Sequence, residues 1–123
     1  MDPKRGSTDG ASLGLRNISR GLFCEEAALQ FYLLKGYRCL KRRWKSPFAE
    51  IDLLLRSPEK NLVLVEVKSV ASFEYLHLRL RGPQKRRLER ALCHCLEKDP
   101  TARLELAVVS QSGEVLIFDD IFS

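Results

Sequence analysis

Leu62-Val63-Leu64-Val65-Glu66-Val67-Lys68 constrains the fold more than any other segment. A strand alternates its side chains between two faces, so four consecutive apolar residues need cover on both sides. Leu62 to Ser69 should therefore be a central strand. Glu66 and Lys68 continue the face of Leu62 and Leu64. Two charges at the end of a buried face are costly unless they are paired or serve a ligand.

The other elements arrange themselves around this strand. Ser19 is a candidate cap for a helix from about Arg20 to Lys35, with Ile18 as a staple residue. Its expected apolar stripe is Leu22, Phe23, Ala27, Phe31 and Leu34, and Gly36 ends it. Glu25 shares a face with Ala28, Leu29 and Tyr32. Tyr37 to Trp44 reads as a basic edge strand, broken by Ser46-Pro47. Glu50 to Arg56 reads as a strand with Ile51, Leu53 and Leu55 on one face and Glu50, Asp52 and Leu54 on the other. Residues 57–61 form a hairpin-length turn. Residues 70–82 are apolar without a clear period, and Gly82-Pro83 stops them.

Pro83 opens a helix to about Lys98. Its stripe is Leu88, Ala91, Leu92, Cys95 and Leu96, and Gln84 lies one turn back on the same face. Leu104–Ser110 and Glu114–Phe118 form a closing strand pair about Ser112-Gly113. The order αβββαββ predicts an α/β (α+β) fold with a single mixed sheet flanked by helices. Residues 1–18 are Gly-, Ser- and Pro-containing and sparse in apolar residues, which predicts a flexible tail before one domain over 19–123.

Charge placement points to a partner. Of 21 basic residues, twelve fall in two windows: Lys35, Arg38, Lys41, Arg42, Arg43 and Lys45, then Arg79, Arg81, Lys85, Arg86, Arg87 and Arg90. Against 16 acidic residues the net charge is +5. Such clusters suit a polyanion, and Lys41, Arg42, Arg43, Lys45, Lys85 and Arg86 are the candidate nucleic-acid contacts. With no apolar run long enough to span a bilayer and no secretory signal, the expected location is cytoplasmic, with no membrane partner. The four cysteines should then be reduced thiols acting as small buried hydrophobes. Cys93 and Cys95 point about 200° apart on a helix, which argues against a shared zinc ion.

The chemistry should sit where the hairpin closes. Pairing about the 57–61 turn brings residues near 52 opposite residues near 66, so Asp52 and Glu66 converge with Lys68 just beyond. Converging carboxylates repel unless a cation joins them. Mg²⁺ accepts one or two carboxylates together with phosphate oxygens and water. A neighbouring lysine can position or deprotonate an attacking water. Two carboxylates, a lysine and a basic surface suit metal-assisted phosphodiester hydrolysis. Two other readings fit the same residues: a nucleic-acid-binding module without catalysis, and a structural domain in which these charges are simply ion pairs.

Glu25-Glu26-Ala27-Ala28, Gly36-Tyr37, Glu50-Ile51-Asp52-Leu53 and Val65-Glu66-Val67-Lys68 resemble the YraN family of predicted endonucleases, in the PD-(D/E)XK, restriction-endonuclease-like superfamily. The resemblance spans roughly residues 20–98. It implies Asp52 and Glu66 as ligands of Mg²⁺ or Mn²⁺, Lys68 as the catalytic lysine, Glu25 as a supporting acid that orients a water or second ion, and Gln84 as a polar catalytic-site residue on the second helix. It further implies a DNA substrate, branched or single-stranded DNA among the candidates, and allows a homodimer. The chain departs from the family pattern at Cys24 and Ala49, where glycine is usual, and at Val70 and Gln84, where a basic residue is usual.

Overall fold

The computed structural model describes residues 13–71 and 82–119. Its elements are α1 (Leu13–Leu34), β1 (Arg38–Lys45), β2 (Glu50–Arg56), β3 (Leu62–Ser69), α2 (Gly82–Leu96), β4 (Arg103–Val109) and β5 (Val115–Phe118). This is the expected order αβββαββ, an α+β fold. The irregular stretch expected at 70–82, with Arg79 and Arg81, lies almost wholly outside the described residues, as do residues 1–12.

One five-stranded sheet runs β1-β2-β3-β4-β5. β3 is central, as its doubly apolar pattern requires, and β1 is an edge. All neighbours are antiparallel except β3 and β4, which are parallel and joined across the sheet by α2. Cys24, Ala27, Ala28, Leu29 and Tyr32 of α1 pack on Leu53, Leu55, Val63, Val65, Ala107 and Val109. Leu88, Ala91 and Cys95 of α2 pack on Leu54, Leu64, Leu104, Leu106 and Val108 on the other face.

Several details differ from the sequence reading, among them Leu96 of the expected second-helix stripe, which is exposed at the helix end. α1 begins at Leu13, so Ser19 lies inside the helix and residues 13–18 are helical rather than tail. Nothing between 13 and 19 is a strong stop; a glycine there costs only about 1 kcal/mol. The buried face of α1 is also rotated from the expected stripe. Small Cys24, Ala27 and Ala28 let the helix approach the sheet closely, while Leu34 is 87% exposed and Leu22 is exposed as well. Cys93 is exposed rather than buried, whereas Cys24 and Cys95 are buried. Finally, Ile51 packs with the α2 layer, not with Leu53 and Leu55.

The end of α1 follows expectation. Tyr37 N–H donates to Tyr32 O at 3.1 Å and Gly36 N–H to Leu33 O at 3.0 Å, with Gly36 at φ 90°. This is a Schellman closure, and only glycine takes that φ without strain. Beside it, Tyr32 donates to Glu105 Oε1 at 2.8 Å. Arg103 Nε donates to Glu105 Oε2 at 2.9 Å, and its Nη2 donates to Tyr37 Oη at 3.1 Å. A buried carboxylate is thereby satisfied, and α1 is fixed on β4.

Candidate active site

The site grows out of a fork in the sheet. β2 and β3 pair from Arg56↔Leu62 to Leu53↔Val65, and their ladder stops there. Beyond that point β2 still pairs with β1 as far as Glu50, and β3 still pairs with β4 as far as Ser69. Both strands continue but part from each other. Asp52 occupies the opening: its Oδ2 accepts the Val67 N–H at 2.7 Å. A side chain has replaced a main-chain partner, which leaves the buried N–H satisfied and the carboxylate pinned.

Glu66 points into the same opening from the α2 face and is 7% exposed. Its Oε2 accepts from Gln84 Nε2 at 2.7 Å. Lys68 Nζ stands 3.8 Å from the same oxygen, with its side chain 31% exposed. Gln84 reaches Glu66 because it precedes buried Leu88 by one turn and so shares its inward face. The Asp52 and Glu66 carboxyl groups lie within hydrogen-bonding reach of one another.

Electrostatics follow from this crowding. Burial pushes the Asp52 carboxyl up, opposed by the Val67 N–H and the bond to Glu66, with the charge of Glu25 adding to the rise. Burial, and then the charge and hydrogen bond of Asp52, push Glu66 up to about 8, more than Lys68 and Gln84 can offset. The pair therefore keeps a shared proton at neutral pH. Two oxygen-donor carboxylates are a set that Mg²⁺ accepts, with phosphate and water completing its shell, so the residues fit the ion. Among the described residues, no group of three or more His, Cys, Asp or Glu side chains is placed to hold a metal.

Glu25 comes from the other layer. Both its oxygens face Arg43 Nε, at 3.2 and 3.4 Å, and its side chain is 14% exposed. Arg42 pairs with Glu26 at 3.4 Å. Of the expected nucleic-acid contacts, Lys41 and Lys45 stand exposed on β1, while Arg42 and Arg43 are engaged with the two acids of α1. Lys85 is half-buried and Arg86 exposed in the first turn of α2, immediately after Gln84.

The uncharacterised protein family UPF0102 matches residues 24–110. The chain belongs to this family. UPF0102 is the YraN family, so the sequence resemblance holds. The chain is 34% identical over 119 residues to a UPF0102 protein of Ruegeria sp. (strain TM1040), covering 93% of this chain and 95% of that one. A UPF0102 protein of Ruegeria pomeroyi is 33% identical over 117 residues, covering 91% and 94%. One from Thermus thermophilus is 39% identical over 93 residues, covering 73% and 82%. The UPF0102 segment begins at Cys24, takes in Glu25, Asp52, Glu66, Lys68 and Gln84, and ends before β5. Among the described residues, no helix is long and apolar enough to cross a membrane.

Proposed function

We propose that this chain is a Mg²⁺- or Mn²⁺-dependent endonuclease that hydrolyses phosphodiester bonds in DNA, with branched and single-stranded DNA as the first substrates to test. The observation that carries the reading is the fork between β2 and β3, which gathers Asp52, Glu66, Lys68 and Gln84 at one opening. A domain that needed only stability would gain nothing from two buried, mutually repelling carboxyls. Asp52 and Glu66 are the residues that would hold the ion, which when bound supplies Lewis-acid polarisation of a phosphate and a more acidic water.

The chain's own groups do the rest. The Val67 N–H fixes Asp52 and Gln84 fixes Glu66, so both carboxylates are oriented before any ligand arrives. Lys68, partly open to solvent, can orient the attacking water, help remove its proton and stabilise charge developing on the phosphoryl oxygens. Water then adds to phosphorus as its proton passes to solvent, while the bond to the sugar oxygen breaks and that oxygen takes a proton from Lys68 or solvent.

Lys68→Ala tests this against a purely structural ion pair when cleavage and melting are measured on one sample. Cleavage should be lost while stability stays within about 0.5 kcal/mol, because a 3.8 Å, partly exposed pair contributes little. Lost stability with unchanged cleavage would assign Lys68 to structure instead. Lys68→Arg should also fail to cleave, since a guanidinium is planar and effectively never gives up its proton.

A further inference from the structure

Arg43 carries a left-handed backbone, φ 51°. Among the described non-glycine residues only Lys60, in the β2–β3 turn, shares a positive φ. That conformation costs an L-residue other than glycine roughly 1–2 kcal/mol, and Arg43 is in mid-strand with no turn to make. Its place in the register is also special. Arg42 pairs with Leu53 and Trp44 with Ile51, so Arg43 faces Asp52, the residue at the fork.

The kink sends the Arg43 side chain to α1, where Nε meets both oxygens of Glu25 at 3.2 and 3.4 Å. A guanidinium has five donors in a rigid planar fork, with an Nε edge and an opposite edge made by its terminal nitrogens. Glu25 takes the Nε edge. Among the described residues the terminal nitrogens have no protein acceptor, and the side chain is 51% exposed. Glu25 itself is mostly covered, its side chain 14% exposed. Among the described residues its one ion-pair partner is Arg43, which is half exposed and whose strand position lies opposite Asp52.

We propose that Arg43 seats a phosphate of the bound strand next to the Asp52–Glu66 site, and that Glu25 is the positioning residue that orients its guanidinium. This rests on the phosphodiesterase reading of the site and names the substrate group the site grips. It gives Glu25 a different duty from the ion- or water-orienting one that the family resemblance implies.

The test measures binding of a fluorescein-labelled single-stranded DNA oligonucleotide in EDTA, across a salt series, for the full chain. Arg43→Gly keeps the backbone geometry, because glycine accepts positive φ, and removes only the side chain. It should weaken binding about fourfold at 0.15 M salt and reduce the slope of log K on log salt by about 0.7, the share of one phosphate on a single strand. Glu25→Gln gives a test of sign. Coulomb repulsion alone says that removing an acid near a phosphate tightens binding. Orientation of Arg43 says that it weakens binding, by about two- to threefold for a partly exposed pair. In the Arg43→Gly background the same change should no longer weaken binding. Melting curves verify that both variants fold.

Unchanged binding in Arg43→Gly, or tighter binding in Glu25→Gln alone, overturns the proposal. So does a Mn²⁺ titration in which Glu25→Gln loses affinity for the ion while Arg43→Gly does not, since Glu25 would then serve the ion. Absence of single-stranded DNA binding by the unsubstituted chain overturns this proposal, while the nuclease reading falls only if no DNA of the duplex, single-stranded and branched panel is cut with Mg²⁺ or Mn²⁺. The expected binding pattern without cleavage overturns the nuclease reading alone.

Discussion

Replacing Glu66 by glutamine keeps the side chain's shape and removes its charge. The amide oxygen can still accept from Gln84, and the amide nitrogen can donate to Asp52. What disappears is a carboxyl that burial, and then the charge of Asp52, push up from 4.5 to about 8. Between those values the unfolded chain has released this proton and the folded chain retains it. The unfolded state then binds fewer protons, so stability falls as pH rises through that window and is fully present only below it. At pH 7 the window has been crossed by about 2.5 units. At 1.36 kcal/mol per unit, that is a destabilisation of about 3 kcal/mol. Glu66 is 7% exposed, so solvent screens little of it. Glu66→Gln should therefore raise the unfolding free energy by about 3 kcal/mol near neutrality and flatten its pH dependence, while ending cleavage. Urea denaturation from about pH 5 to 9 measures this. Mg²⁺ should stabilise the unsubstituted protein at the alkaline end and leave the variant unmoved. A flat pH profile in the unsubstituted protein, or no gain in the variant, would refute the argument that these carboxyls are crowded against their own stability.

Two further outcomes follow from other parts of the fold. Tyr32→Phe leaves buried Glu105 with Arg103 alone and should cost about 2 kcal/mol in urea denaturation, the penalty for an under-satisfied buried carboxylate; a loss under about 0.5 kcal/mol would show that the Tyr32 bond contributes little. Asp99 is held down at about 2 by Thr101 and then Arg56, so its stabilising contribution should be complete above the ordinary carboxylate range and vanish as pH falls through about 2. Acid-unfolding curves of the unsubstituted protein and Asp99→Ala should accordingly converge at the acid end, and a gap that persists there would contradict the assignment.

The sequence made the central strand and the carboxylate pair legible for related reasons. Leu62–Val65 admits no half-exposed solution, and a five-residue hairpin turn fixes which residues of β2 face which of β3. The register Leu53↔Val65 is what that arithmetic requires. Gln84 was legible because helical spacing from Leu88 leaves it only one face. The course of α1 was harder to read. Its packing face is chosen by small residues that permit close approach, whereas large apolar residues dominate a periodicity count. The switch of Ile51 to the α2 layer arises where β2 leaves β3, beside the kink at Arg43. No local pattern announces either feature, because arginine has no preference for a left-handed backbone. The Glu25–Arg43 pair joins residues 18 apart in sequence through tertiary packing alone, so neither half could be assigned to the other from spacing.

The most direct measurement is cleavage by the unsubstituted chain and by Asp52→Asn over a panel of duplex, single-stranded and branched DNA, with Mg²⁺ or Mn²⁺ and with EDTA. The account predicts metal-dependent cleavage of at least one substrate, abolished by EDTA and by Asp52→Asn, whose melting temperature is not reduced. Binding without cleavage of any substrate in either metal, or cleavage that survives Asp52→Asn, would contradict it.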